Sequence, residues 1–280
     1  MNRIRYNSLA LAVIAICTVI AMGAGVAHAT PVINAAKDSV RVFNDCPVTN
    51  LNAPPPAYPG AIHFDENTFV CGGGINLHIF NLSDDGGLSS ALFNNKDAFT
   101  ISSTITLRQL TGNTQVEAGL RVNPWFGPVA DGVFNLRLPD GEIACFGGVL
   151  PFFTFTGAFG LHYQNGVPAR ETIIYVPNCN TKANPATIEY QLIYNGTFYT
   201  SGPLAFGNCT LGEEAHGCYG IMDNARVGGK FQNDFFAFGA DPGGANSVDY
   251  NDFVYTINQP QDCPVPTKTS TWGSIKGTYR

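Results

Sequence analysis

The segment TIEYQLIYNGTFY, residues 187–199, restricts the fold more than any other stretch of this chain. Ile188, Tyr190, Leu192 and Tyr194 alternate with Thr187, Glu189 and Gln191, the two-residue period of a strand with one apolar face. Asn195-Gly196 then supplies two residues that tolerate positive φ in a tight hairpin turn. FTISSTITL repeats the pattern, with Phe99, Ile101, Ile105 and Leu107 on one face and Thr100, Ser102, Thr104 and Thr106 on the other, expected to face water. A second hairpin is predicted in GVFNLRLPDGEIACFGG, where Phe134, Leu136 and Leu138 share a face and Pro139-Asp140-Gly141 makes the turn. Further strands are expected over residues 117–122, 152–156, 171–176, 220–227 and 253–258, and no segment of this domain shows helical periodicity. Many short strands separated by turn residues argue for an all-β sandwich or jelly roll.

The ends of the chain are of a different kind. Residues 1–29 have a basic start at Arg3 and Arg5, an apolar run from Leu9 to Ala21 and small residues at Ala27 and Ala29, the pattern of a secretory signal peptide cleaved after Ala29. The expected location is therefore extracellular, cell-surface or periplasmic, and no later segment is apolar enough to span a bilayer. A sandwich domain is assigned to 30–258. An extended Pro/Thr-rich tail follows over 259–280, in which Trp272, Ile275 and Tyr279 fall on one face of a short amphipathic segment that can dock a partner. Cleavage removes Arg3 and Arg5 from 15 basic residues, leaving 13 against 21 acidic ones, a balance of −8. Nucleic acid is a poor partner for such a chain.

Of eight cysteines, Cys17 leaves with the signal, and the odd number that remains requires at least one that is free or bonded to another molecule. In GNCTLGEEAHGCYG, Cys209, Glu213, Glu214, His216 and Cys218 lie close together. A disulfide closing Cys209 to Cys218 explains them more simply than a metal site. Asp-Cys-Pro-Val stands near both ends, at residues 45–48 and 262–265.

The runs EAGLRVNPW, DGVFNLRLPDGEIACFGGVLPFFTFTG, ATIEYQLIYNGTFYTSGPLAFGN and YGIMDNARVGGKFQ, preceded by GINLHIFNLSDDGG and NNKDAFTISSTITL, together resemble a concanavalin A-like (laminin G-like) sandwich domain of secreted bacterial proteins. The resemblance covers roughly residues 40–257. It implies that the first and last strands pair antiparallel, which would make the two Asp-Cys-Pro-Val segments neighbours and allow Cys46 to bond Cys263.

Glycoside hydrolysis is the enzymatic activity that such a fold first brings to mind, and it needs two carboxylates flanking the scissile bond. Glu117, Glu142, Glu171 and Glu189 instead stand singly on predicted strands and read as exposed residues. No Gly-x-Ser-x-Gly elbow occurs, and the histidines after the signal are His63, His78, His162 and His216. No metal motif stands out and no cofactor is implied, although Asp84, Asp85, Asp131, Asp241 and Asp249 sit in or near turns that would suit calcium. The Phe152, Phe153, Phe155 and Phe159 cluster reads as core.

In VNPWFGPVADG, Trp125 and Phe126, with Asp131 nearby, are the candidate ligand-binding residues, because a stiff loop presenting an aromatic plane suits a sugar ring. The sequence is therefore read as a secreted, non-enzymatic binding module for a polysaccharide or cell-surface glycan, or for adhesion. A structural envelope protein without a small ligand is the alternative, and a glycoside hydrolase comes third. The negative balance leads us to expect that neutral or basic glycans bind better than acidic ones.

Overall fold

The computed structural model describes residues 29–69, 73–111, 115–123, 132–147, 150–207, 219–234 and 244–259. The signal segment and all of the tail beyond Gln259 lie outside the described residues, as do Trp125, Phe126, Asp131, Cys209, Cys218 and Cys263. Among the described residues no helix is long and apolar enough to cross a membrane.

Fourteen strands occur among the described residues: β1 (Ala35–Asn44), β2 (Asn50–Asn52), β3 (Ala61–Phe69), β4 (Ile75–Ser83), β5 (Phe99–Thr111), β6 (Gln115–Asn123), β7 (Gly132–Leu138), β8 (Ile143–Phe146), β9 (Phe153–Thr154), β10 (Ala169–Val176), β11 (Thr187–Tyr194), β12 (Thr197–Ala205), β13 (Arg226–Asp234) and β14 (Gly244–Ile257). They form two antiparallel sheets. Sheet A has the order β1-β4-β13-β6-β7-β8-β9, and sheet B the order β12-β11-β10-β5-β14-β3-β2. This is the all-β sandwich that the strand rhythm predicts.

Both hairpins form as expected. Asn195 (φ 51°) and Gly196 (φ 74°) join β11 to β12 with Tyr194 opposite Thr197. Gly141 (φ 77°) lies in the turn between β7 and β8, with Leu136 opposite Ile143. Phe99, Ile101, Ile105 and Leu107 on β5 enter one continuous core with Phe64, Phe80, Phe134, Tyr190 and Tyr250. Full burial of each large side chain contributes about 2–3 kcal/mol.

Four expectations change. The strand predicted over 220–227 starts only at Arg226 and runs on to Asp234. The stretch 152–156 gives the two-residue β9 and then a short helix, α1 (Phe155–Phe159), whose Gly157 N–H is capped by Thr154 Oγ1 at 3.1 Å. Its phenylalanines divide accordingly, with Phe155 fully buried and Phe152 exposed. Ser102 and Thr106 are buried, not open to water, and Arg170 Nη2 donates to Ser102 Oγ at 2.9 Å from the neighbouring strand.

The last change concerns the ends. β1 pairs with β4 and β14 with β3 and β5, so the first and last strands lie in different sheets. β1 ends with Asn44 opposite Asn76, beside the start of β14, whereas β14 leaves the opposite end of the sandwich with Ile257 paired to Phe99. Cys46 therefore sits at the far end from the exit of β14. Cys46 and Cys179 are each disulfide-bonded, and Cys145 is free and buried.

Candidate functional site

Alternation gives each strand of sheet A one face toward the core and one away from it. On β4, β13, β6 and β7 the core face carries Phe80, Phe231, Leu120, Phe134 and Leu136. The outward face of the same strands carries Asn81, Lys230, Glu117, Arg121 and Asn135, all of them buried. Register sets the rows. Lys230 lies opposite Ile79 and Gly119, and Gly119 opposite Asn135; one step along, Gly228 lies opposite Asn81 and Arg121.

Polar side chains turned away from the core are ordinarily solvated. Here Asn135 is 1 % exposed, Asn81 2 %, and Lys230 and Arg121 3 % each. Arg226, Gln232 and Arg137 at the rim are half-buried. The face is thus a polar surface shielded in its middle and open at its margin.

Its floor is made by residues without side chains. A Cβ on Gly119 would lie 1.7 Å from the Phe134 carbonyl oxygen, and one on Gly228 would lie 2.0 Å from that of Phe80. Neighbouring backbone fills the space that any other residue would need. At this point sheet B supports sheet A from within the core. Gly119 N–H donates to the Tyr250 hydroxyl at 3.0 Å, and Leu120 N–H donates to Glu171 Oε2 at 2.9 Å. Glu171 has no cation to balance it among the described residues, and burial pushes its carboxyl well above the usual range.

The electrostatics of the face are cationic. Lys230 Nζ pairs with Glu117 Oε2 at 3.0 Å, while Arg121 Nη2 donates to Asn81 Oδ1 at 2.6 Å. Burial, and after it the neighbouring charge of Arg121, holds the Arg226 guanidinium below its usual value. Arg137 is matched locally by Asp140 and Glu142. Among the described residues, the guanidiniums of Arg121 and Arg226, the Lys230 ammonium and the carboxamides of Asn81 and Asn135 thus share this face with the Glu117 carboxylate. Such a donor set recognises carboxylates and hydroxyls.

The single-standing glutamates of the sequence reading need correction. Glu117 is buried in its pair with Lys230, and Glu171 is wholly inside. Glu171 falls in step with Ala169, Ile173 and Tyr175 on the core face of β10, an alternation visible in the sequence. Glu142 and Glu189 are partly exposed.

A second polar cluster lies between the sheets at the Cys46 end. Glu66, fully buried on β3, accepts from Thr49 Oγ1, from Asn76 Nδ2 and Asn233 Nδ2 (2.7 Å each), and from His78 Nε2 (3.2 Å). His78 Nδ1 accepts Arg41 N–H at 2.9 Å, which leaves the ring proton on Nε2. Burial raises the Glu66 carboxyl, but the bonds from His78, Thr49 and Asn76 outweigh it and hold the group below its usual range. Every member is a partner of another, so the cluster ties β1, β3, β4 and β13 together.

The other residues of interest are dispersed. Asp85 accepts from Ser83 and Ser89 within its own turn, while Asp249 lies between Arg108 and His63 on the outward face of sheet B. His162 is exposed near Asp140. Among the described residues no group of three or more His, Cys, Asp or Glu side chains is placed to hold a metal.

No family model and no curated protein matches the sequence. Similar solved structures include an alginate lyase of polysaccharide lyase family 7 (11 % identity, 82 % of this chain and 93 % of that one, TM-score 0.43) and the alginate lyase from Corynebacterium sp. (12 %, 76 % and 82 %, TM-score 0.42). The carbohydrate recognition domain of Emp47p is also similar (12 %, 82 % and 91 %, TM-score 0.39). All are consistent with a concanavalin A-like sandwich, and none supports the laminin G-like refinement. At these scores they assign neither activity nor ligand. Against the expectation that the chain is not an enzyme, lyases as well as recognition domains are among the similar structures. That expectation rests on missing paired carboxylates, which hydrolysis requires and elimination does not.

Proposed function

We propose that the outward face of sheet A binds an acidic polysaccharide. The supporting observation is the gathering of Arg121, Arg226 and Lys230 with Asn81 and Asn135 on adjacent strands, in a chain whose net charge is −6. Overall charge favours neutral or basic glycans at long range, but contact is governed by the local set, because charges beyond about 8–10 Å are screened at physiological salt. The preference expected from the sequence is therefore reversed. Guanidiniums bind sugar carboxylates in bidentate fashion, and carboxamides bind ring hydroxyls.

Action outside the cytoplasm belongs to the same proposal. It is supported by the signal-like residues 1–29 and by the bonded states of Cys46 and Cys179, which fit an oxidising compartment.

Titration of the mature protein with polygalacturonate, alginate and a neutral glucan tests the reading. The two polyuronates are expected to bind more tightly than the glucan, with affinity falling as salt rises, and Arg226→Gln is expected to weaken them about tenfold with little change in melting temperature. Equal binding of acidic and neutral polymers would remove the proposal. Monitoring the same mixtures for the ultraviolet absorbance of unsaturated uronate ends reports whether this face also carries an elimination.

A further inference from the structure

Within the polar face, Asn135 differs from its neighbours. Its side chain is almost completely enclosed, at 1 % exposure, and among the described residues no donor reaches its Oδ1. Arg121 has Asn81, and Lys230 has Glu117. The residues opposite Asn135 in register are Gly119 on β6 and Ala144 on β8, and neither carries a polar side chain. Phe134 and Leu136 point to the core, so the carboxamide projects from the outward face beside the bare backbone of Gly119. A buried carbonyl oxygen without a donor costs free energy that a folded chain normally avoids.

We infer that Asn135 is a specificity-determining residue of the face, its Oδ1 accepting a hydrogen bond from a sugar hydroxyl seated over Gly119. The inference rests on the polysaccharide reading and sharpens it. Gly119 separates Asn135 from Lys230 by two strand spacings, about 10 Å, and offers no side chain to fill the interval. A ring lying there meets a cation on one side and a neutral acceptor on the other. An acceptor selects a donor, so Asn135 Oδ1 as placed reads a hydroxyl rather than the carboxylate. The sugar that fits carries a free hydroxyl on the side away from its acid group, and modification of that hydroxyl removes the contact.

The experiment uses the mature chain, Asn135→Leu and Asn135→Ser, with polygalacturonate and alginate each in native and O-acetylated form. Wild type is expected to bind the native polymers about tenfold more tightly than the acetylated ones. Asn135→Leu, close to isosteric, is expected to lose about tenfold toward the native form and to bind both forms alike, with an unchanged or higher melting temperature; Asn135→Ser gives the same loss of discrimination should leucine not be accommodated. If wild type binds the native polyuronates and both variants keep its affinity and its preference, the role of Asn135 is refuted while the polysaccharide reading stands. If wild type binds none of the polymers, both fall together. A large loss of stability in both variants, with discrimination intact in the folded fraction, would make Asn135 structural and would equally refute the inference.

Discussion

The molecule has two buried polar regions, and they are opposite in construction. Around Glu66, between the sheets, each donor is matched to an acceptor of another member, and the carboxylate alone receives four hydrogen bonds. On the outward face of sheet A, shielding is nearly as complete, but Asn135 Oδ1 is unbonded and, among the described residues, cations outnumber carboxylates. Burial of polar groups therefore does not mark a site. What distinguishes the two regions is how their central groups are matched: the Glu66 carboxylate is met by four donors, whereas Asn135 Oδ1 is met by none among the described residues.

The comparison is broken most directly at Glu66. Glu66→Ala strands Asn76, His78 and Asn233 without their acceptor and is expected to cost about 3–5 kcal/mol, a fall of about 10 °C in melting temperature. A stable Glu66→Ala protein that had lost polyuronate binding would move the site to the end cluster. Gly119→Ala comes next. Its methyl would meet the Phe134 carbonyl, so a loss of about 1–3 kcal/mol is expected, together with weakened binding as the floor shifts. Full stability by thermal melt would show that sheet A yields there more easily than its packing implies.

Smaller effects separate the two buried glutamates by the sign of their pH dependence. The carboxyl of Glu66 is lowered in the folded state, so its stabilisation is present above the usual glutamate value and is lost as pH falls through the folded one. That of Glu171 is raised, so the folded state holds a proton the unfolded chain releases, and stability declines as pH rises above the usual value. Melts across pH are therefore expected to show Glu66→Gln flattening the acid limb and Glu171→Gln flattening the neutral-to-alkaline one. Identical profiles in both variants would contradict the assignment. The smallest effect concerns connectivity: peptide mapping of unreduced protein identifies the partners of Cys46 and Cys179, and any bridge to Cys145 would contradict its free, buried state.

Much of this was legible in local pattern. Alternation in TIEYQLIY and the Asn195-Gly196 turn settle a hairpin without reference to the rest of the chain. The same alternation places Asn135 and Arg137 opposite Phe134, Leu136 and Leu138, and it places Glu171 inward. What the pattern withholds is which outward residues share a face, because that depends on pairings such as Gly228 with Asn81 and with Arg121, far apart in sequence. β1 was missed because AAKDSVRVFN has no clean period, and the irregular register between Ser39 and Phe43 shows why. The Glu66 cluster was invisible for the same reason as the face, since its contacts join residues up to 167 positions apart.

The strand order also constrains how the protein comes into being. β13 lies between β4 and β6 in sheet A, and β14 between β3 and β5 in sheet B. Each sheet is thus divided in two until its last strand in sequence arrives, and residues 226–257 complete both. A nascent chain emerging from the ribosome can close local hairpins early but cannot close either layer until residues 226–257 have been synthesised. Loop closure over such separations is slow, and the half-sheets meanwhile expose the edges of β4, β6, β3 and β5. A chain built this way depends on residues 226–257 for assembly, and on protection from premature association until they are made.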